Sequence, residues 1–218
     1  MLAKHRHLLV TAGPTREMLD PVRFLSNVST GHMGYKIAQE GKRMGFRVTL
    51  ISGPTTLKPP KGVRYVEIVT AEEMKRAVFK YWLATDILIM TAAVCDYTPL
   101  RFSPSKIKRL KKKTVRFKQT TDILGSIGRR KGNRIVVGFA LETEAVQRNA
   151  IRKLRQKNLD FIVANWYANG NNPFGNNRTS MILMDRFGSK KRLHRMTKAK
   201  AARVLLEEVS SFLNSKNS

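Results

Sequence analysis

The chain has 218 residues, 42% of them apolar, with 42 Lys and Arg against 15 Asp and Glu, for a net charge of +27 at pH 7. That apolar share excludes a disordered chain, the single Cys excludes a disulfide framework or a Cys-rich zinc site, and the charge predicts anionic partners without constraining the fold. The opening residues hold Lys4, His5, Arg6 and His7 with no apolar run behind them, and the longest apolar stretch, 87–95, is too short to span a bilayer. The expectation is a soluble cytoplasmic protein.

Residues 7–11 (HLLVT) read as a first strand, followed by the turn Thr11-Ala-Gly-Pro-Thr15. In a doubly wound sheet this is the carboxyl end of a strand, where ligands bind, although an ordinary strand-to-helix turn reads the same way. No G-x-G-x-x-G follows, so the dinucleotide fingerprint is missing. Arg23, Asn27, Ser29 and Thr30 then crowd ahead of a helix predicted over 31–44. An Arg and an Asn amide offer directed hydrogen bonds to carboxylate or phosphate, and Ser29, Thr30 and Gly31 present backbone N–H groups to an anion. Plain surface explains the loop equally well, and close packing explains the small residues Gly34, Ala38 and Gly41 along one helix face.

Strands are predicted at 47–51 and 65–68, a helix at 71–83 and a strand at 86–90. After this last strand come Thr91, Ala92 and Ala93, small enough for a ligand to lie on the backbone, and then Asp96, which suits a base or sugar and equally a loop cap. Residues 97–119 show no period and are predicted to leave the sheet as a flexible excursion. Within them, 101–118 holds nine basic residues and no acid. Such a run is either a solvated face or a polyanion contact, and Phe102 and Phe117 are too few for a base-stacking platform.

A helix over 122–130, a strand over 134–138, a helix over 142–158 and a strand over 160–164 complete the alternation, which argues an α/β fold with a mostly parallel sheet. Lys153 and Lys157 share a helix face, either as end-of-helix cations or as a pair directed at a triphosphate. The Asn- and Gly-rich 165–177 reads as a loop, the basic run 190–195 has no assigned element, and Thr197 caps a terminal helix to 213. The four histidines lack metal-ligand spacing, and neither G-x-S-x-G nor a Walker A sequence occurs. The chemistry therefore rests on cations, amides and backbone, which suits phosphates and carboxylates.

Eight blocks carry a family resemblance: TAGPTRE at 11–17, DPVRFLSN at 20–27, STGHMG at 29–34, AAVCDY at 92–97, KIK at 106–108, TDIL at 121–124, VGFALET at 137–143 and KNLDFIVAN at 157–165. In this order they resemble the phosphopantothenoylcysteine synthetase (phosphopantothenate–cysteine ligase) family of coenzyme A biosynthesis. The resemblance implies one Rossmann-like three-layer α/β domain over 1–218 with a flap at about 97–119, working as a homodimer. It also implies a free-standing synthetase whose flavin-dependent decarboxylase is a separate protein.

The implied reaction has two halves. A nucleoside triphosphate, CTP in most bacterial members and ATP in eukaryotic ones, activates the carboxylate of 4′-phosphopantothenate as an acyl-nucleotide with Mg²⁺ present, and the amine of L-cysteine then displaces the nucleotide. By the same resemblance Asn27 binds the activated carboxylate, Arg23 holds phosphopantothenate, and Ser29, Gly31 and Gly34 form the anion-binding helix start. Thr91 and Ala92 lie against the intermediate and Asp96 reads the nucleotide. Lys106 binds the nucleotide and acts from the flap in the second half-reaction. Thr121, Asp122, Ile123 and Leu124 flank the nucleotide, Phe139 lies by the base, and Lys153 and Lys157 form the nucleotide-binding pair. No metal ligands are implied. Pro14, Cys95 and Arg109 depart from the family's usual Gly, Ala and Lys. The rival reading, carried by charge alone, is a basic nucleic-acid-binding protein on a Rossmann-like fold.

Overall fold

The computed structural model describes residues 6–109, 114–168 and 171–215. In chain order they form β1 (His7–Ala12), β2 (Arg16–Met18), β3 (Phe24–Ser26), α1 (His32–Arg43), β4 (Arg47–Ser52), β5 (Arg64–Glu67), α2 (Ala71–Trp82), β6 (Ile87–Met90), β7 (Tyr97–Pro99) and β8 (Phe117–Gln119). There follow α3 (Ile123–Gly128), β9 (Ile135–Glu142), α4 (Val146–Gln156), β10 (Phe161–Trp166), β11 (Thr179–Asp185), β12 (Lys190–Met196) and α5 (Lys198–Ser215). No helix among the described residues is long and apolar enough to cross a membrane.

Eight strands make one sheet in the order β12-β11-β10-β9-β6-β1-β4-β5. From β5 to β10 all pairs are parallel; β11 and β12 add antiparallel. Alternation along each strand builds two cores. Leu8 and Val10 pack with α1 and α5 on one face, and Leu9 packs with α2, α3 and α4 on the other. This is the expected three-layer α/β architecture. It explains why β1 is apolar at successive positions: all six of its residues are buried.

Two expectations need correction, and one unassigned run gains an element. The helix expected from 142 starts at Val146, because β9 continues to Glu142, and its ladder with β10 runs on to the pair Glu142 and Trp166. The same pairing makes 165 and 166 strand, so the loop expected over 165–177 begins later. The run at 190–195 is the sheet's edge strand β12, with only Leu193 buried. Charged side chains on an edge discourage pairing with another chain, so these cations have a structural reason to be there.

The 97–119 excursion is anchored by the antiparallel hairpin of β7 with β8. Lys111, Lys112 and Lys113 of the predicted basic run lie outside the described residues. Beside it, β2 and β3 form a second small hairpin. Under the sheet's opposite rim, Lys131 donates to Asp160 at 2.8 Å with both side chains nearly inaccessible, and the Val136 amide satisfies the second carboxylate oxygen at 2.9 Å.

Candidate functional site

The neighbouring strands β1 and β6 send their chains to opposite sides of the sheet, so their carboxyl ends flank a topological switch point. The loops beyond stay zipped together. Ala93 donates to the Gly13 carbonyl at 2.9 Å, Thr15 to the Ala93 carbonyl at 3.1 Å, and Cys95 to the Thr15 hydroxyl at 2.9 Å. Pro14 sits between the two bonding residues, so its missing N–H interrupts nothing there. Below, α1 presses close: a Cβ on Gly34 would stand 2.6 Å from Ala12 Cβ and Thr91 Oγ1. Gly31 starts the helix at φ +77°, a left-handed conformation that favours glycine.

Two adjoining cavities open on this rim. The larger, about 830 Å³, is walled by Asn27, Ala92 and Asp96 from the two zipped loops, and by Thr121, Asp122, Ile123 and Leu124 at the start of α3. Phe139 from β9, Lys153 from α4 and Lys157 at its C-cap close it. The smaller, about 190 Å³, is lined by Ser29, Gly31 and Thr91 and shares Ala92 and Phe139 with the first. Thirteen of the sixteen residues marked in the sequence thus meet on one rim.

The other three stand apart. Gly34 lines neither cavity and is buried under Ala12 and Thr91, which makes it a packing residue. Arg23 lies outside both walls, its guanidinium engaged by Asp20 and by the Ile107 carbonyl. Lys106 is exposed on the excursion, outside both linings, next to Ile107, whose amide donates to Asp20 at 3.0 Å.

The larger cavity is already electrically paired. Lys153 meets Glu142 at 2.7 Å and Lys157 meets Asp122 at 2.9 Å. Asp122 also caps α3, accepting from the Gly125 amide at 3.0 Å. Burial alone would raise the Asp122 carboxyl; the bonds from Lys157 and Gly125 outweigh it and hold the group below its ordinary value. Asn27 donates from Nδ2 to the Ala93 carbonyl at 3.1 Å, over the buried Cys95. Burial pushes the Cys95 thiol up, so it stays protonated and fills space beneath the amide.

The sequence reading missed Asn165, His32 and Lys198 in the smaller cavity. Lys198 is only 3% exposed, and burial pushes its ammonium down to about 8. Its Nζ donates to the Pro173 carbonyl at 2.6 Å. Asn165 Oδ1 is buried with no hydrogen-bond partner among the described residues. His32 is lowered by burial first and by Lys198 second. The only sequence signal was Lys198 in the first turn of a helix, where a cation opposes the dipole.

Residues 3–213 match the family model described as DNA/pantothenate metabolism flavoprotein C-terminal domain. Among curated relatives, the coenzyme A biosynthesis bifunctional protein CoaBC of Bacillus subtilis (strain 168) is 41% identical over 208 residues, 94% of this chain and 51% of that protein. CoaBC of Escherichia coli (strain K12) is 38% identical over 219 residues, 98% of this chain and 54% of the relative. The chain thus spans about half the length of these proteins. Among solved structures, the C-terminal domain of CoaBC superposes with a TM-score of 0.84 at 34% identity, covering 98% of each chain.

Proposed function

The chain belongs to the DNA/pantothenate metabolism flavoprotein C-terminal domain family, and from that membership and the rim geometry we propose that it is a phosphopantothenate–cysteine ligase of coenzyme A biosynthesis. The observation that carries the reading is the convergence of Asn27, Ala92, Asp96, the start of α3, Phe139, Lys153 and Lys157 on one cavity. These residues come from blocks more than a hundred positions apart.

The chemistry follows from what each group can do. An oxygen of the 4′-phosphopantothenate carboxylate attacks the α-phosphorus of CTP; the bond to the bridging oxygen breaks and pyrophosphate leaves. The Asn27 amide is a neutral donor at the loop junction, suited to hold the carboxylate without competing for the phosphorus. Asp96 and Asp122 are acceptors for the amino and hydroxyl donors of a nucleoside. Lys157, paired with Asp122, and Lys153, paired with Glu142, offset the charge of those two carboxylates beside the nucleotide. The cysteine amine then attacks the acyl carbon, CMP departs, and the amine sheds a proton to solvent. Lys106, brought over the site, offsets the charge on the departing phosphate.

No group of three or more His, Cys, Asp or Glu among the described residues suits a resident metal. A Mg²⁺ ion carried on substrate phosphates needs few protein ligands, and the buried, donor-free Oδ1 of Asn165 is a fitting hard oxygen. When bound, the ion would screen the phosphates and ease pyrophosphate departure.

The same reading has a homodimer. In its support, Val22, Phe24, Leu100 and Phe102 expose apolar side chains on the β2–β3 hairpin and the excursion. It also places the enzyme in the cytoplasm with a flavin-dependent decarboxylase as pathway partner. The test is incubation with 4′-phosphopantothenate, cysteine, Mg²⁺ and CTP or ATP. Pyrophosphate and CMP should appear together with phosphopantothenoylcysteine by mass, faster with CTP. No pyrophosphate with either nucleotide removes the reading.

A further inference from the structure

We infer that the amino rim of the sheet, at the far end from the rim described above, holds a second ligand site, in which Lys42, Arg47 and Arg64 bind the phosphate of an organic phosphate ester. The inference goes beyond the ligase reading and does not depend on it.

The site is a cavity of about 660 Å³ where β1, β4 and β5 begin and α2 ends. Ligand sites commonly run from roughly 300 to 1,000 Å³. The strand pleat directs its walls. Leu9 packs on the α2 face of the sheet, so His7 points there too, and its Nε2 meets the Thr49 hydroxyl at 2.8 Å. Arg47, two residues before Thr49, and Arg64, opposite Thr49 on β5, share that face. The Arg64 guanidinium lies 6.0 Å from the centre of the Tyr81 ring. Lys42 arrives from the last turn of α1 across Gly62, whose φ is +72° and where a Cβ would stand 2.9 Å from Lys42 Cε.

What these cations lack is a counter-charge. Among the described residues none of the three has an ion pair or a side-chain hydrogen bond. Carboxylates on the bounding elements are committed elsewhere: Glu40 to Arg43 at 2.7 Å, and Asp86 to Arg6 at 3.3 Å and the His7 amide at 2.7 Å. None of the undescribed residues is an Asp or Glu. The end of α2, which favours a cation, does not account for them either. Arg134 already donates to the Leu83 and Thr85 carbonyls, both at 3.1 Å, and His7 Nδ1 lies 2.9 Å from the Ala84 carbonyl. A carbonyl only accepts, so Nδ1 carries the proton and Nε2 accepts from Thr49, which leaves the cavity floor neutral and fully bonded.

Three uncompensated cations over a neutral floor suit an anion of two or more charges. Two guanidinium forks match paired phosphate oxygens, and an ammonium takes a third. A free phosphate ion would fill only a small part of the volume. The remainder, walled by the Tyr81 ring, accommodates an organic group, and a flat one stacks there.

The test is calorimetric titration of the full chain with ADP, with inorganic phosphate and with a single-stranded oligonucleotide, and amide exchange locates the bound ADP. The wild type is compared with the double variant Arg47→Ala, Arg64→Ala and with Ala84→Glu, which puts a carboxylate into the cavity wall and keeps all three cations. ADP should slow exchange over 45–47 and 62–64 in the wild type. Both variants should weaken that binding about 10-fold or more. KM for CTP should stay within about 2-fold, since the two rims share no residue. No protection at 45–47 and 62–64, or ADP binding there unaltered in the folded variants, overturns the inference. Inorganic phosphate binding as tightly as ADP overturns the organic ligand. An oligonucleotide that binds more tightly than ADP and loses affinity in the same variants overturns the small-molecule site in favour of a nucleic-acid backbone. Binding and exchange are read without turnover, so failure of the ligase reading and failure of this inference are separate results.

Discussion

Arg23 grips Asp20 with two nitrogens, Nε at 3.0 Å and Nη2 at 2.6 Å from the same carboxylate oxygen, and its Nη2 also donates to the Ile107 carbonyl at 2.6 Å. Asp20 is fully buried; its other oxygen accepts the amides of Val22 and Arg23, and Oδ2 accepts the amide of Ile107 as well. The hydrogen bond from Arg23 leads the causes that hold this carboxyl far below the usual carboxylate range. The pair therefore ties the excursion to the early loop and fixes where the residue before Ile107 emerges. Asp20→Ala should release that segment, so that proteolysis at Lys106 or Lys108 quickens. Product formation from preformed acyl-cytidylate should fall about 10- to 100-fold, as expected when a reacting group is misplaced by an ångström. Unchanged proteolysis and turnover would show that the clamp does not position Lys106.

Lys106 itself is exposed and outside the cavity lining, so it contributes little to the first half-reaction in this arrangement. Lys106→Gln should leave CTP-dependent pyrophosphate release in the first turnover within about 3-fold while acyl-cytidylate accumulates, since only the second step needs its charge. Rapid quench followed by chromatography of the acyl-nucleotide reads this directly. Equal slowing of both steps would show that the nucleotide-binding role of Lys106 extends to the first half-reaction and would overturn its confinement to the second.

The fold was legible because its strands are buried on both faces, and runs such as those in β1 and β10 show this as unbroken apolar stretches. The short hairpins β2–β3 and β7–β8 were not, since three-residue strands leave no period to read. β12 was hidden for a different reason: an edge strand with one buried residue looks like a charge run. In the site, most marked residues came to one rim through their order along the chain. What sequence could not supply was pairing. Arg23 was marked as a ligand for substrate, and its guanidinium is also held by Asp20; Lys153 and Lys157 were read as end-of-helix cations or a triphosphate-binding pair, with no sign that each has a carboxylate. Lys198 escaped notice because its burial, with no carboxylate partner among the described residues, is a property of the packed state alone.

The ion pair of Lys131 with Asp160 makes a stability prediction independent of function. Its desolvated charges compensate each other, and the Val136 amide and Arg186 at 3.3 Å also meet the carboxylate. Lys131→Met should lower stability by roughly 3–5 kcal/mol, because it strands a buried carboxylate. The double substitution Lys131→Met with Asp160→Leu should recover part of the loss. Urea melts of the three variants measure it; an additive double mutant would deny the pairing.

Burial makes His7 a determinant of acid stability. It is 3% exposed, with its two ring nitrogens at 2.9 Å from the Ala84 carbonyl and 2.8 Å from the Thr49 hydroxyl. Desolvation leads the causes lowering its pKa, opposed by the Ala84 bond and Asp86 and aided by Arg47 and Arg64. The unfolded chain then binds a proton near the ordinary value of about 6.5 while the folded one resists. Stability is thus complete above that pH and declines as pH falls below it. His32, lowered in the same direction, adds to the slope. Denaturation midpoints at pH 8, 6 and 5 should fall in that order, and His7→Gln should flatten the curve while lowering its plateau. A slope unchanged in His7→Gln would assign the acid sensitivity elsewhere.

The basic edge strand gives the last prediction. In β12, Arg192 stands opposite Ile182 of β11 and Leu193 opposite Met181, so its outer backbone edge is guarded mainly by exposed charge. Replacing Arg192 and His194 by Val and Thr alters a formal charge of +27 by a single unit, too little to change solubility through net charge. It nevertheless gives the edge the β-branched surface that another strand can pair with. Light scattering should show concentration-dependent association of the variant under conditions where the parent keeps its own assembly state. Re-introducing Lys at position 194 should reverse it. Were the variant to remain indistinguishable from the parent, the run would have to be explained by an anionic partner instead of by protection of the sheet.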